Sequence, residues 1–143
     1  MTDDGVGMLD TSVLILLSAL RDPTVLPERP VISAITLAEL SVGPLVASND
    51  GERAARQAHL QQAEADFDAL SFDADAARAF GQVAASLRRS GGKPAARAYD
   101  AMIAATAMAN ELPLYTANPD DFAHIDGLTV VAVQHPGTPL GRG

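Results

Sequence analysis

Residues 97–111, R-A-Y-D-A-M-I-A-A-T-A-M-A-N-E, constrain the fold more than any other stretch. Alanine dominates, Met and Ile fill in, and neither Pro nor Gly interrupts, so the intrinsic preference is strongly helical. On a helix, Asp100 shares a stripe with Ile103, Ala104, Ala107 and Met108, since residues three, four, seven and eight apart stack on one side. That stripe is apolar and faces a core. A carboxylate in it must sit at a wet rim or be neutralised by a partner or a cation, because a lone buried charge is too costly. The bland reading of Asp100 is a first-turn acid favoured by the helix dipole.

Three other carboxylates occupy comparable positions. Residues 6–9 form a short apolar run ending at Asp10, and Asp10-Thr11-Ser12 opens a second run over 13–20, which reads as strand, turn, helix. Asp10, Thr11 and Ser12 are each competent N-caps. Pro27 and Pro30 bracket a loop before a strand at 31–33, and a helix over 35–47 places Glu39 beside Ile35, Ala38 and Val42. Gly43-Pro44 predicts a break in that helix. Residues 50–69 read as a polar amphipathic helix with Ala54, Ala58, Gln61 and Ala65 on one side. Residues 70–72 are a minimal strand or turn, and Asp73 caps a helix over 74–90 with an apolar face of Ala76, Phe80, Val83 and Leu87. Gly91-Gly92-Lys93-Pro94 then breaks the chain. A strand over 113–116 leads through Ala117-Asn118-Pro119-Asp120-Asp121-Phe122 into a short helix. A last strand over 129–133 precedes a Gly- and Pro-rich tail from His135, expected to fray.

Short apolar strands alternating with helices predict an α/β fold with a short, mainly parallel central sheet of four or five strands flanked by helices. In such sheets ligands bind outside the carboxyl ends of the strands. Asp10, Glu39, Asp100 and the Asp120-Asp121 pair all fall at strand ends or helix starts and can meet on one rim.

Composition narrows the chemistry. The 143 residues suit a single domain, with its core expected over about residues 6–133. Only 4% of residues are aromatic, which argues against a base-stacking platform of the RNA-recognition-motif kind. No cysteine is present, so disulfides, thiolate metal sites and thiol nucleophiles are excluded. The M-T-D-D-G start lacks the basic residues of a signal peptide, and no apolar run nears the ~18 residues of a membrane span. A cytoplasmic location without membrane contact is expected. The net charge of -8 would repel a nucleic-acid backbone unless the acids gather divalent cations. Arg53, Arg56, Arg78, Arg88, Arg89, Lys93 and Arg97 concentrate in the middle of the chain and either track a phosphate backbone or, by default, decorate solvated helix faces. His59, His124 and His135 lie far apart and read as surface or packing residues.

Carboxylates without cysteine or a matched histidine pair make an oxygen-only donor set, which selects Mg²⁺ or Mn²⁺ over zinc. Bunched acids raise one another's pKa, and a bound ion removes that penalty, acidifies its water and clamps phosphoryl oxygens. Hydrolysis of a phosphodiester uses all three effects.

L-D-T-S-V-L-I from Leu9, T-L-A-E-L from Thr36, R-A-Y-D-A-M-I-A-A-T-A from Arg97 and T-A-N-P-D-D-F from Thr116 together resemble the four blocks of PIN-domain ribonucleases. Their order and spacing resemble the VapC toxins of type II toxin–antitoxin modules, over nearly the whole chain. The resemblance implies a single PIN domain and a Mg²⁺-dependent endoribonuclease, with Asp10 and Asp100 as the principal metal ligands. Glu39 is then a further acid that holds the ion through water or orients the attacking water. The family pattern puts the last acid immediately before Phe, hence Asp121, with Asp120 the alternative. Thr11, Ser12, Thr116 and Asn118 would support these acids by hydrogen bonds, although capping and turn formation also explain them. The resemblance further implies an RNA substrate such as tRNA or rRNA loops, a homodimer, and a VapB-like antitoxin whose tail covers the site. Two other functions compete. One is a catalytically silent module whose acidic pocket holds a basic peptide. The other is a metal-dependent phosphatase, which is disfavoured because Ser12 replaces the second acid of a D-x-D nucleophile motif.

Overall fold

The computed structural model describes residues 5–91, 97–134 and 136. Five strands form one sheet: β1 (Val6–Leu9), β2 (Arg29–Ser33), β3 (Ala69–Leu70), β4 (Leu114–Thr116) and β5 (Val130–Ala132). Their spatial order is β3-β2-β1-β4-β5, and every neighbouring pair is parallel. From β1 the chain adds β2 and β3 on one side and later β4 and β5 on the other. The gap between β1 and β4 is therefore the topological switch point, where such sheets open a crevice at their carboxyl ends.

The helices are α1 (Thr11–Leu16), α2 (Ala34–Val42), α3 (Asp50–Asp66), α4 (Ala74–Arg89) and α5 (Ala98–Ala109). Alternation along the strands divides the core between the two faces of the sheet. Met8 and Leu114 pack with Val83 and Leu87 of α4, Ile103 and the alanines of α5, Phe122 and Ile125. Leu9 and Ile32 point the other way, to Val13 and Leu14 of α1, Leu40 of α2 and Ala63 of α3. The small side chains at Ala101, Ala104, Ala105 and Ala107, all fully buried, let α5 lie close against its neighbours at interior packing density.

Several expectations are refined. The first helix tightens into a 3-10 turn at Leu17–Ala19, and the helix carrying Glu39 breaks at Gly43 into a 3-10 turn at Gly43–Val46. Strand β2 begins at Arg29 and runs through Pro30, which was expected to belong to a loop. The N–H of Arg29 bonds toward β1 at Gly5, and that of Ile32 toward the β3 side at Asp68. By alternation, the N–H that Pro30 lacks would face the β3 side before pairing with β3 begins at Ile32, so no ladder bond is lost there. On α3, the expected inner face of Ala54, Ala58, Gln61 and Ala65 is exposed, and the chain buries Ala63 with Arg56, His59 and Leu60 half-buried. On α2, Thr36 and Leu40 face inward, while Ala38 and Val42 are exposed. Residues 92–94 of the expected break, and the tail from His135 apart from Pro136, lie outside the described residues.

Gly7 in β1 is required by its neighbours. A Cβ there would stand 2.6 Å from Tyr115 Cε1 and 2.9 Å from Pro27 Cβ, so the strand admits no side chain at this point.

Candidate active site

Asp10 immediately follows β1 and caps α1. Its backbone N–H donates to the Tyr115 carbonyl at 3.0 Å, extending the β1–β4 ladder by one step and fixing the residue at the switch point. Only 5% of its surface is exposed. Oδ1 accepts from the Val13 N–H at 3.1 Å and from Ser12 Oγ at 2.5 Å; Oδ2 accepts from Thr116 Oγ1, the last residue of β4, at 2.5 Å. The cap read from the sequence and the buried acid are thus one side chain. Ser12 and Thr116 are held in turn: Ser12 Oγ accepts the Ala117 N–H and Thr116 Oγ1 the Asn118 N–H, each at 3.0 Å. Burial raises the Asp10 pKa against the lowering effect of these hydrogen bonds.

Glu39 is half-buried on α2. Its Oε1 accepts from Thr11 Oγ1 at 2.7 Å. Thr11 has one hydroxyl proton to give and an ionised carboxylate can only accept, so its 3.1 Å contact with Thr36 Oγ1 is one in which Thr36 donates. Burial, and then the Asp10 charge, raise the Glu39 pKa.

Asp100, in the first turn of α5, is half-buried, and its carboxylate has no hydrogen-bond partner among the described residues. Burial, followed by the charges of Asp121, Glu39 and Asp10, pushes its carboxyl up to about 6; Arg97 acts weakly in the opposite sense. Asp121, in the 3-10 turn Pro119–Phe122, is held by Arg97: Nη1 is 3.2 Å from its Oδ1 and donates to its carbonyl at 3.0 Å. Asp120 is exposed.

Electrostatically, then, Asp10, Glu39 and Asp121 all act on Asp100. They are not a ready-made cage: among the described residues, no three His, Cys, Asp or Glu side chains are close enough to hold one ion between them. The hydrogen bonds explain this, since Asp10 is turned toward Ser12 and Thr116, Glu39 toward Thr11, and Asp121 toward Arg97. The donor set nonetheless fits a hard divalent cation. Apart from Arg97, the charged groups that act on Asp100 are carboxylates, and among the described residues its oxygens are free of hydrogen-bond partners.

Of the supporting residues expected from the sequence, Thr11, Ser12 and Thr116 bond to the acids through their hydroxyls. Asn118 contributes its backbone N–H, and its side chain is exposed. Three participants were not singled out for the site. Thr36 looked like an ordinary helix residue. Arg97 was counted with the other cations, although its place one turn before Asp100 was a usable signal. His59 was read as surface or packing, yet it lines a cavity of about 220 Å³ with Thr11, Glu39 and Arg56. A second cavity, of about 790 Å³, opens at the amino ends of the strands around Val6, Pro27, Glu111 and Thr129, and gathers none of the four acids.

Residues 7–128 match the model of the PIN-domain family, which spans most of the chain. This chain belongs to the PIN-domain family. Ribonuclease VapC5 of Mycobacterium tuberculosis is 40% identical over 134 residues, covering 92% of this chain and 96% of that protein. Ribonuclease VapC8 of the same species is 34% identical over 103 residues, covering 72% and 91% respectively. The crystal structure of VapBC-5, a toxin–antitoxin system of M. tuberculosis, superposes with a TM-score of 0.77 at 38% identity, over 90% of this chain and 99% of that one. The parallel sheet flanked by helices is therefore the PIN architecture.

Proposed function

We propose that this PIN-domain chain is a Mg²⁺-dependent endoribonuclease, the toxin of a type II toxin–antitoxin module. The observation that carries the reading is Asp100, an unpartnered half-buried carboxylate lying in the field of three further acids. Its relatives named as ribonucleases, and the solved toxin–antitoxin complexes that share its fold, support the same function.

Asp10 and Asp100 would hold the ion. When bound, Mg²⁺ supplies a Lewis acid for a phosphoryl oxygen and lowers the pKa of water. The chain does the rest. Ser12, Thr116 and the Val13 N–H keep Asp10 in one orientation. Thr11 fixes Glu39 by Oε1 and leaves Oε2 to accept a proton from the attacking water. Asp121 adds a further negative charge acting on Asp100, and Arg97 sets where that charge points. The RNA would be presented as a single-stranded loop, with tRNA and rRNA the candidate sources, to a homodimer in the absence of its partner. A VapB-like antitoxin with a basic tail would cover the acids.

Cleavage of total tRNA and rRNA by the purified chain tests the reading. Activity with Mg²⁺ or Mn²⁺, lost in EDTA and lost in Asp100→Asn, is expected. Undiminished cutting by Asp100→Asn, or in EDTA, would refute it. Binding of a basic peptide with no cleavage under any metal would favour the silent module.

A further inference from the structure

The cavity beside Glu39 borders the acids, and the reaction above leaves it without a task. Thr11 and Glu39 belong to the acidic site; Ile15, Leu40, Gly43, Arg56 and His59 complete the lining. Arg56 is pinned. Its Nη1 donates to the Gly43 carbonyl at 3.0 Å, and its Nη2 pairs with Glu52 at 2.8 Å. Gly43 makes room for its stem, since a Cβ there would lie 3.2 Å from Arg56 Cδ. A guanidinium carries five N–H groups, so donors remain uncommitted after these two contacts. His59 is half-buried, and its ring has no hydrogen-bond partner among the described residues. Ile15 is 46% exposed and gives the cavity an apolar wall that the described chain leaves uncovered.

Apolar side chains beside oriented N–H donors suit a ligand that is part flat ring and part anion. At about 220 Å³ the cavity is smaller than the roughly 300 Å³ of a site for a drug-sized molecule, which limits it to one such unit. Glu39 sets a negative charge at the end of the cavity that borders the acids, and at the other end the uncommitted donors of Arg56, beyond those taken by Gly43 and Glu52, complement a phosphate. We propose that this cavity holds one nucleotide of the RNA strand, the neighbour of the one whose phosphodiester is cut. Ile15 and Leu40 support its base, and His59 and Arg56 donate to its phosphate. This rests on the ribonuclease reading. It makes Ile15 and Leu40 specificity-determining and His59 a substrate-binding residue, because a splayed-out base seated next to Glu39 fixes which bond reaches the acids.

The test follows the imidazole NMR signals of the labelled full chain while 5′-AMP, GMP, CMP and UMP are added one at a time in EDTA. The His59 signals shift saturably with at least one of the four, and those of exposed His124 stay in place. Ile15→Glu, a surface change, and His59→Ala each weaken that binding about tenfold, the scale of one hydrogen bond to a charged group; His59→Gln recovers part of it. With Mg²⁺ and mixed-sequence RNA, Ile15→Glu relaxes the base preference at the position next to the cut, whereas His59→Ala raises KM for all sequences alike. Stationary His59 signals with all four nucleotides, in a chain that still cuts RNA, overturn the subsite and leave the nuclease intact. Movement only with an oligoarginine peptide overturns it in favour of a peptide groove. Saturable nucleotide binding in a chain that cuts no RNA keeps the nucleotide pocket and overturns the nuclease reading instead.

Discussion

The hydroxyl of Thr116 donates to Oδ2 of Asp10 at 2.5 Å, joining residues 106 positions apart in the chain. The bond spans the switch point between β1 and β4 and ties the placement of a site acid to the register of the sheet. With the Asp10 N–H on the Tyr115 carbonyl and the Ala117 N–H on Ser12 Oγ, it couples site to fold.

Removing that hydroxyl leaves a buried carboxylate oxygen unpaired. Thr116→Val is expected to destabilise the protein by about 1–3 kcal/mol, the cost of an unsatisfied buried polar group. It also frees Asp10 to turn, and RNA cleavage should fall more than Thr116→Ser lowers it. Denaturant unfolding and a cleavage assay on both variants check this; equal behaviour of Val and Ser would show that the hydroxyl positions nothing.

The acids also set a pH dependence. A carboxyl whose native pKa lies above its unfolded value binds its proton more tightly when folded, so its protonation stabilises the native state. For Asp100, that stabilisation is present below about 3.8 and is lost as pH rises through about 6. Asp10 and Glu39, both raised, act in the same direction. A shift of this size corresponds to about 3 kcal/mol in full burial; with Asp100 only half-buried, solvent screening leaves about 1 kcal/mol. In EDTA, Asp100→Asn should therefore melt about 4 °C above the wild type at pH 7, with the gap closing toward pH 4. Mg²⁺ should raise the wild-type Tm at pH 7 by linkage to the folded state. A variant less stable than wild type at pH 7 in EDTA would contradict the electrostatic account.

Gly7 tests the packing that places Asp10. Gly7→Ala drives a Cβ into the Tyr115 ring and Pro27, and overpacking of this kind costs about 1–3 kcal/mol. Calorimetry should show a lower Tm, and Tyr115→Leu in the same background should recover part of it. An unchanged Tm would mean that the ring moves aside freely.

How much of this was legible in the sequence depended on contrast. Asp100 and Glu39 stood out because a carboxylate amid Ile and Ala breaks the helical pattern. The strands around Asp10 and Thr116 stood out because their apolar runs are short and sharply ended. The buried face of α3 was hidden: alanine fits either side of a helix, and the inward residues Arg56 and His59 are polar, so periodicity pointed to Ala54 and Ala58. The hydrogen bonds from Thr11, Ser12 and Thr116 were open to a second explanation, capping, and Asp10 turned out to cap α1 while being a buried acid. His59 gave no local signal, because its proximity to Glu39 arises from the packing of α3 on α2.

The central claim is that the acids around Asp100 take up a divalent cation. Electron paramagnetic resonance of free Mn²⁺, titrated with wild-type chain and with folded Asp100→Asn at pH 7, measures this without reference to RNA. The account predicts saturable binding by the wild type that weakens by more than about tenfold in the variant, exceeding the lower end of what even an outer partner of a metal ligand contributes. Equal Mn²⁺ affinity in the two proteins, or no binding by the wild type, would contradict it.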